Sequence, residues 1–242
     1  MLKKFLTISF LGALSCYSFA GIIADSSRVI YNEGVPQKSV MLANTNTYSI
    51  FAQTWVDNGE SNPNFEKAPF VVVPAVFALK PAEIKGINLI YNEMELPKDR
   101  ESVFWLNLYE IPAVSRDSLN KDYLNLAMNT QIKIFYRPKV LNNFDLNKVQ
   151  KELKFSWVEN SQKMLLEAEN PSPYYINIIG ISLSNHASHS KLNNEIDNMI
   201  SPFSKKTYQV ENQNFMKEKN NTLEYILIND QGQKEKYSQN LE

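Results

Sequence analysis

The chain has 242 residues, a hydrophobic fraction of 43% and a formal net charge of −1 at pH 7. This length and composition allow a sizeable core in one large or two ordinary domains, which excludes a disordered tail. The 25 Lys and Arg balance the 26 Asp and Glu, which excludes a positive field for nucleic acid. The chain has one Cys and two His, too few for a Cys/His zinc framework.

The first twenty residues have the three zones of a secretory signal peptide. Lys3 and Lys4 form a positive start, residues 5–14 form a short apolar run, and Ser18-Phe19-Ala20 is a small-x-small cleavage site. We therefore predict that residues 1–20 direct export and are removed after Ala20. The exported chain would then have no cysteine, and it would have to hold itself together by packing alone.

The remaining sequence has the short apolar runs and frequent turn residues of an all-β protein. Short runs rich in Val, Ile, Tyr and Phe alternate with clusters of Asn, Pro, Gly and Ser, and no long stretch keeps a helical period. The predicted strands are residues 27–31, 39–43, 50–56, 70–73, 87–91, 103–109, 124–136, 153–157, 164–168, 174–182, 207–210 and 222–228. Runs this short and frequent predict antiparallel β-sandwiches. Residues 140–151 are rich in Asn, Asp and Lys and interrupt the series of predicted strands, so we predict a linker between two domains there. The predicted domains are residues 21–140 and 141–242.

One predicted strand, residues 124–136 (LNLAMNTQIKIFY), is longer than the others. Thirteen residues at about 3.3 Å each would extend on the order of 40 Å, well beyond an ordinary strand. Alternation places Leu124, Leu126 and Met128 on one face and Lys133 on the opposite face. These three apolar residues either form an exposed edge beyond their own sheet or face their own core, and periodicity does not separate the two possibilities.

Several motifs, in the right order, resemble the periplasmic chaperones of the chaperone–usher pathway, which assemble pili and fimbriae. The motifs are SSRVIY at residues 26–31, PFVVVPAVFALKP at 69–81, LPKDRESVFWLNLYEIP at 96–112, QIKIFYRP at 131–138, NPSPYYINIIG at 170–180, ISPFS at 200–204 and YILINDQG at 225–232. Each motif alone would be weak, but together they are specific and span about residues 26–232. The short segment of residues 111–124 resembles the short-loop subfamily.

The resemblance implies two immunoglobulin-like domains in a boomerang arrangement, with no enzymatic activity and no cofactor. It implies a periplasmic protein that binds pilus or fimbrial subunits (pilins and adhesins) whose own sandwich lacks its last strand, and that delivers them to an outer-membrane usher. No nucleic acid is involved. Because an exposed strand edge invites aggregation, we expect the free protein to cover its edge as a homodimer or by disorder in residues 113–123.

The same resemblance assigns the binding residues by motif position. Arg28 and Lys133 correspond to the two cations that bind the carboxylate at the subunit's C terminus, for which a bidentate Arg and a Lys point charge are well suited. Leu124, Leu126 and Met128 correspond to the apolar stripe that the family lends to the subunit by β-augmentation.

Two acidic residues match the charge cluster that holds the family's two domains at an angle. Glu101 in the D-R-E-S motif and Asp230 in the I-N-D motif are its acidic members. The cation is expected in the predicted strand of residues 87–91, where Asn88 stands and no Arg is present. The resemblance therefore implies a cluster without its usual cation, unless Lys85 replaces it.

Two other classes of protein account for fewer of these residues. An exported immunoglobulin-like adhesin or structural subunit would associate with itself into a polymer and would not need both Arg28 and Lys133. A secreted hydrolase on a sandwich fold would show turnover and a groove lined by carboxylates. His186 and His189 have an H-x-x-H spacing, but no third ligand type lies beside them, so we predict a solvated loop pair and no metal site.

Overall fold

The computed structural model describes residues 21–63, 68–113, 126–158, 163–185, 189–192, 198–212, 215 and 221–241. Four features predicted from the sequence fall outside these ranges and stay predictions: the signal peptide at residues 1–20, Leu124, His186, and residues 114–123 of the loop. Among the described residues, no helix is long and apolar enough to cross a membrane. The same part of the chain contains no group of three or more His, Cys, Asp or Glu that could hold a metal ion.

The first half of the chain folds as a sandwich of two sheets. Its strands are β1 (Ile22–Ala24), β2 (Arg28–Asn32), β3 (Lys38–Asn44), β4 (Ile50–Asp57), β5 (Phe70–Val73), β6 (Val76–Leu79), β7 (Ile84–Tyr91), β8 (Ser102–Pro112) and β9 (Met128–Arg137). One sheet has the order β1-β3-β7-β5 and the other β2-β9-β8-β4-β6. Alternating side chains such as Leu42, Leu89, Leu106 and Ile134 are fully buried between the sheets.

The second half forms a separate sandwich with its own core. A 3₁₀ turn (Lys139–Leu141) and helix α1 (Leu146–Glu152) precede strands β10 (Lys154–Val158), β11 (Leu165–Asn170), β12 (Ile176–Ser184), β13 (His189–Lys191), β14 (Met199–Ile200), β15 (Ser204–Gln209), β16 (Asn221–Ile228) and β17 (Lys234–Leu241). The sheet orders are β10-β11-β15 and β13-β12-β16-β17, and β14 also pairs with β12. His189, predicted in a loop, is exposed at the start of β13.

The predicted linker contains a helix, because residues 146–152 form α1. The side chain of Asp145 caps the helix by accepting a hydrogen bond from the backbone N–H of Asn147, at 3.0 Å. Leu146 and Val149, three residues apart on one helix face, pack into the second core. The predicted domain boundary between residues 140 and 141 lies in the interval between the two cores and stays a prediction.

Candidate functional site

Two cations lie side by side on neighbouring strands of the first domain. β2 and β9 pair in parallel, with Arg28 directly opposite Lys133. Arg28 alternates with the buried Val29 and therefore lies on the outer face of its sheet. Phe135 shares that outer face, and its ring packs 6.0 Å from the ring of Tyr175 in the second domain. The Arg28/Lys133 pair thus lies on the face of the first sheet that turns toward the second domain.

The guanidinium of Arg28 is held in place but retains a buried donor. Nη1 donates to the backbone oxygen of Ile228 at 3.4 Å, and the guanidinium lies 5.6 Å from the centre of the Phe135 ring. Nε is buried, and nothing in the described part of the chain accepts a hydrogen bond from it. A buried donor of this kind is costly unless it finds an acceptor, so the site favours a ligand with an anionic oxygen.

Burial lowers the pKa of Arg28, and the nearby carboxylates of Asp230 and Glu101 oppose that shift. Arginine stays protonated at neutral pH despite such a shift because its ordinary pKa is so high. The cleft beside Arg28 is also lined by Lys38 and by the carboxylates of Asp25 and Asp230. Arg28 therefore keeps a fixed positive charge between the domains.

A buried ion cluster joins the two domains behind this pair. Arg137, the last residue of β9, donates from Nε to Oε1 of Glu101 at 2.8 Å. Its two terminal nitrogens bind both oxygens of Asp230 in a bidentate arrangement, at 2.8 and 3.1 Å. The second oxygen of Glu101 accepts the backbone N–H of Tyr175 at 2.8 Å, so Glu101 also spans the domains. The guanidinium lies 4.7 Å from the centre of the Phe144 ring.

Desolvation and pairing act against each other in the cluster. The side chains of Arg137 and Glu101 are 5% and 2% exposed, whereas that of Asp230 is 25% exposed. Burial raises the pKa of Glu101, although Arg137 pulls it down. Burial lowers the pKa of Arg137, but the bonds to Asp230 and Glu101 outweigh it and raise this pKa above its ordinary value.

The expected position of the cluster's cation was wrong. Asn88 lies on the outer face of the other sheet, where its side-chain oxygen accepts a hydrogen bond from the Ser39 hydroxyl at 2.7 Å. Lys85 lies 5.6 Å from the centre of the Phe77 ring and does not replace the cation. Arg137 supplies the charge instead. Its position four residues after Lys133, on the same strand face, was the signal that sequence reasoning missed.

The long predicted strand starts later than expected, at Met128, and its first half has an open edge. β8 pairs with β9 from Met128 to Tyr136, but β2 pairs with β9 only from Lys133 onward. In the described part of the chain, no strand pairs with the other side of residues 128–132, which we call the open edge. Such an unpaired row of backbone N–H and C=O groups is a template for another strand.

Met128, at the start of the open edge, is exposed although it lies on the inward face of the strand. Met128 alternates in phase with the buried Ile132 and Ile134, yet it is 50% exposed. Leu126, just before the strand, is 64% exposed. Both residues precede Lys133, where the pairing of β9 with β2 starts. Met128 therefore faces inward and is nevertheless exposed, and the choice between the two possibilities for the whole stripe stays a prediction.

The open edge and the Arg28/Lys133 pair lie along one line. A strand added beside residues 128–132 would occupy the position that β2 takes farther along β9. Its end next to Lys133 would meet the side chain of Arg28, where β2 begins. The geometry therefore fits an extended segment that ends in an anionic group. Together, the two sandwiches, the open edge and the cation pair define a two-domain β-sandwich protein with an unpaired strand edge in the described residues.

Comparison with known proteins agrees with this class. Residues 21–142 match the family of pili and flagellar-assembly chaperones, PapD N-terminal domain, and residues 148–239 match the pili assembly chaperone PapD, C-terminal domain. The chain is 33% identical over 225 residues to the probable fimbrial chaperone YadV of Escherichia coli strain K12, covering 91% of this chain and 89% of that protein. It is 31% identical over 185 residues to the chaperone protein FimB/FhaD of Bordetella pertussis, covering 74% of each.

The solved structures include a similar fold. The crystal structure of the YadV chaperone superimposes with a TM-score of 0.77 at 30% identity, covering 92% of this chain and all of that one. The chain belongs to the PapD-like pilus-assembly chaperones, a non-enzymatic family. The predicted family, the all-β class and the absence of enzymatic activity are confirmed by these matches.

Proposed function

We propose that this chain binds pilus or fimbrial subunits in the periplasm by donor-strand complementation and passes them to an outer-membrane usher. The observation that carries the proposal is the alignment of the open edge with the Arg28/Lys133 pair. The subunit's last strand would pair along residues 128–132, and its terminal carboxylate would bind between the two cations. The relatives' names, fimbrial chaperones among them, support subunits of this kind as partners.

The proposed geometry fixes the direction of the bound strand. If its C-terminal carboxylate lies at Arg28 and Lys133, the strand must run along β9 from Leu126 toward Lys133. It therefore runs parallel to β9, as β2 already does. Parallel addition continues the line of β2 and gives the buried Nε of Arg28 the anionic oxygen acceptor that it lacks in the described residues.

Apolar side chains would supply most of the binding free energy. Leu126 and Met128 are exposed, and burying each in an incomplete subunit core contributes roughly 1.5–3 kcal/mol before ordering costs. We propose that Leu124 extends the same stripe. Backbone pairing is independent of sequence, so it would allow one chaperone to bind several subunits.

Introducing a charge at the stripe should abolish subunit binding. We expect Leu126→Asp combined with Met128→Asp to reduce co-purification of a subunit by at least about 100-fold, because two carboxylates would enter an apolar groove. Ile84→Asp is the matched control, since Ile84 is 64% exposed, as Leu126 is, but lies in the other sheet. The control should bind normally. Co-purification from a periplasmic extract, quantified by mass spectrometry, measures the effect, and equal binding by both variants would rule out the proposal.

The remaining parts of the proposal concern the free protein and its location. Residues 1–20 would direct export to the periplasm, and the usher would take the subunit from the complex. Before a subunit binds, a second copy of this chain would cover the open edge. Sedimentation of the purified free protein at increasing concentration tests this last point, because an uncovered edge predicts dimers that the subunit dissociates.

A further inference from the structure

Glu110 is a buried carboxylate that the proposed function does not use. It lies on the inward face of β8 and is 4% exposed. Oε2 accepts the backbone N–H of Ile22 at 2.9 Å, and Oε1 accepts the amide of Asn46 at 2.7 Å. Both donors are neutral, and no Lys, Arg or His of the described residues forms an ion pair with it. Burying an ionised carboxylate with neutral partners alone is expensive, so the site is suited to a cation.

Gly21 lies directly against this carboxylate. A Cβ at residue 21 would be 2.5 Å from Oε2 of Glu110, and the backbone φ is +79°. Both features require glycine. The carbonyl of Gly21 is fixed because it accepts hydrogen bonds from the backbone N–H and the hydroxyl of Thr45, at 3.0 and 2.6 Å. In standard covalent geometry the nitrogen of a residue lies about 2.5 Å from its Cβ position. The nitrogen of Gly21 is therefore within about 5 Å of Oε2 of Glu110.

This residue is also the first one after the predicted cleavage site. In the uncleaved chain the nitrogen of Gly21 is a neutral amide. Hydrolysis of the Ala20–Gly21 bond by a signal peptidase adds one water: Ala20 leaves with the new carboxylate, and Gly21 keeps an amine that takes up a proton. A cation would then appear next to Glu110, which forms no ion pair with the described Lys, Arg or His residues.

We propose that Glu110 is the buried acceptor for the α-ammonium group that signal-peptide removal creates at Gly21. The inference rests on the export and cleavage in the proposed function, but not on subunit binding. The ion pair would fasten β1, in one sheet, to β8 in the other. Glu110 is also the register partner of Met128, so the pair would stabilise the end of the sandwich that carries the open edge.

The test compares two chains that differ by one residue. One begins at Gly21 and the other carries an extra glycine before Gly21, which moves the α-ammonium by about 3.6 Å. Each is made with Glu110 and with Glu110→Gln. We expect the extra glycine to lower the Tm by about 4 °C when Glu110 is present and by less than about 1 °C in Glu110→Gln. Equal shifts in both backgrounds, or no shift in either, would overturn the proposal.

Two further measurements keep the test decisive if Glu110→Gln does not fold. An ion pair keeps the amine protonated and unreactive, so the α-amine at Gly21 should be acylated about tenfold more slowly than that of the extended chain. Equal acylation rates contradict the pairing. The mass of the exported protein must also correspond to a start at Gly21, and any other start overturns the inference. Because these assays contain no subunit, their failure is distinguishable from failure of the proposed binding.

Discussion

Replacing Arg28 by alanine is expected to weaken subunit binding by about 100-fold or more while the fold survives. The loss of a buried, charged hydrogen-bond partner at an interface typically costs about 2–5 kcal/mol of binding free energy. A 100-fold increase in the dissociation constant corresponds to about 2.7 kcal/mol, which lies within that range. The fold should survive, because the variant loses one 3.4 Å bond to Ile228, one ring contact with Phe135 and the attraction of two nearby carboxylates that Arg137 still binds. Titration of a peptide with the sequence of a subunit's last strand gives the dissociation constant, and circular dichroism checks the fold.

The chemistry of the anchor can be isolated with a second peptide. The same peptide with a C-terminal amide should bind the unmodified chaperone about as weakly as the free acid binds Arg28→Ala. Arg28→Ala should bind the acid and the amide peptide with equal affinity, because it lacks the guanidinium that distinguishes a carboxylate from an amide. Lys139→Ala, at an exposed position after the strand, is the control and should bind normally. If the unmodified chaperone does not distinguish acid from amide, Arg28 is not a carboxylate anchor.

Replacing Arg137 by alanine should destabilise the folded chain by about 3–5 kcal/mol. Removing one member of a buried ion cluster leaves the others as uncompensated charges, and Glu101 is almost fully buried. Since Asp230 lies in the second domain, the variant should also unfold in two steps rather than one. Urea unfolding followed by tryptophan fluorescence measures both effects.

A surface pair provides the contrast for this experiment. Lys236 and Glu224 are 2.8 Å apart, but their side chains are 61% and 40% exposed. Lys236→Ala should therefore cost less than about 1 kcal/mol. The interdomain role of Arg137 would be contradicted if both variants lost a similar, small amount of stability.

Sequence patterns predicted the strands with strong apolar alternation and missed those without it. β17 (KEKYSQNL) has no aliphatic alternation, yet it pairs with β16 along its whole length. Pairing of this kind depends on a neighbouring strand rather than on propensity, so the segment alone does not show it. β1 was missed for a related reason, because three residues are too short to show a period.

Family motifs located the candidate cations but not the geometry between them. Arg28 and Lys133 are 105 positions apart in the sequence, and only the register of β2 and β9 brings them side by side. The interdomain cation was assigned to the wrong strand because a resemblance carries expected positions, whereas the contact depends on which side chain reaches Glu101. Alternation also could not show that Met128 is exposed, since the period of a strand gives the direction of a side chain and not whether another layer covers it.

Hydrogen–deuterium exchange tests strand donation most directly, because it reports on the backbone amides that would pair. Exchange is compared between the free chain and its complex with a pilus subunit. We predict that the amides of residues 126–132 that point away from β8 exchange at least about tenfold more slowly in the complex, while those of β17, at the edge of the other domain's sheet, do not change. Unchanged exchange at residues 126–132 in a stable complex would contradict the account.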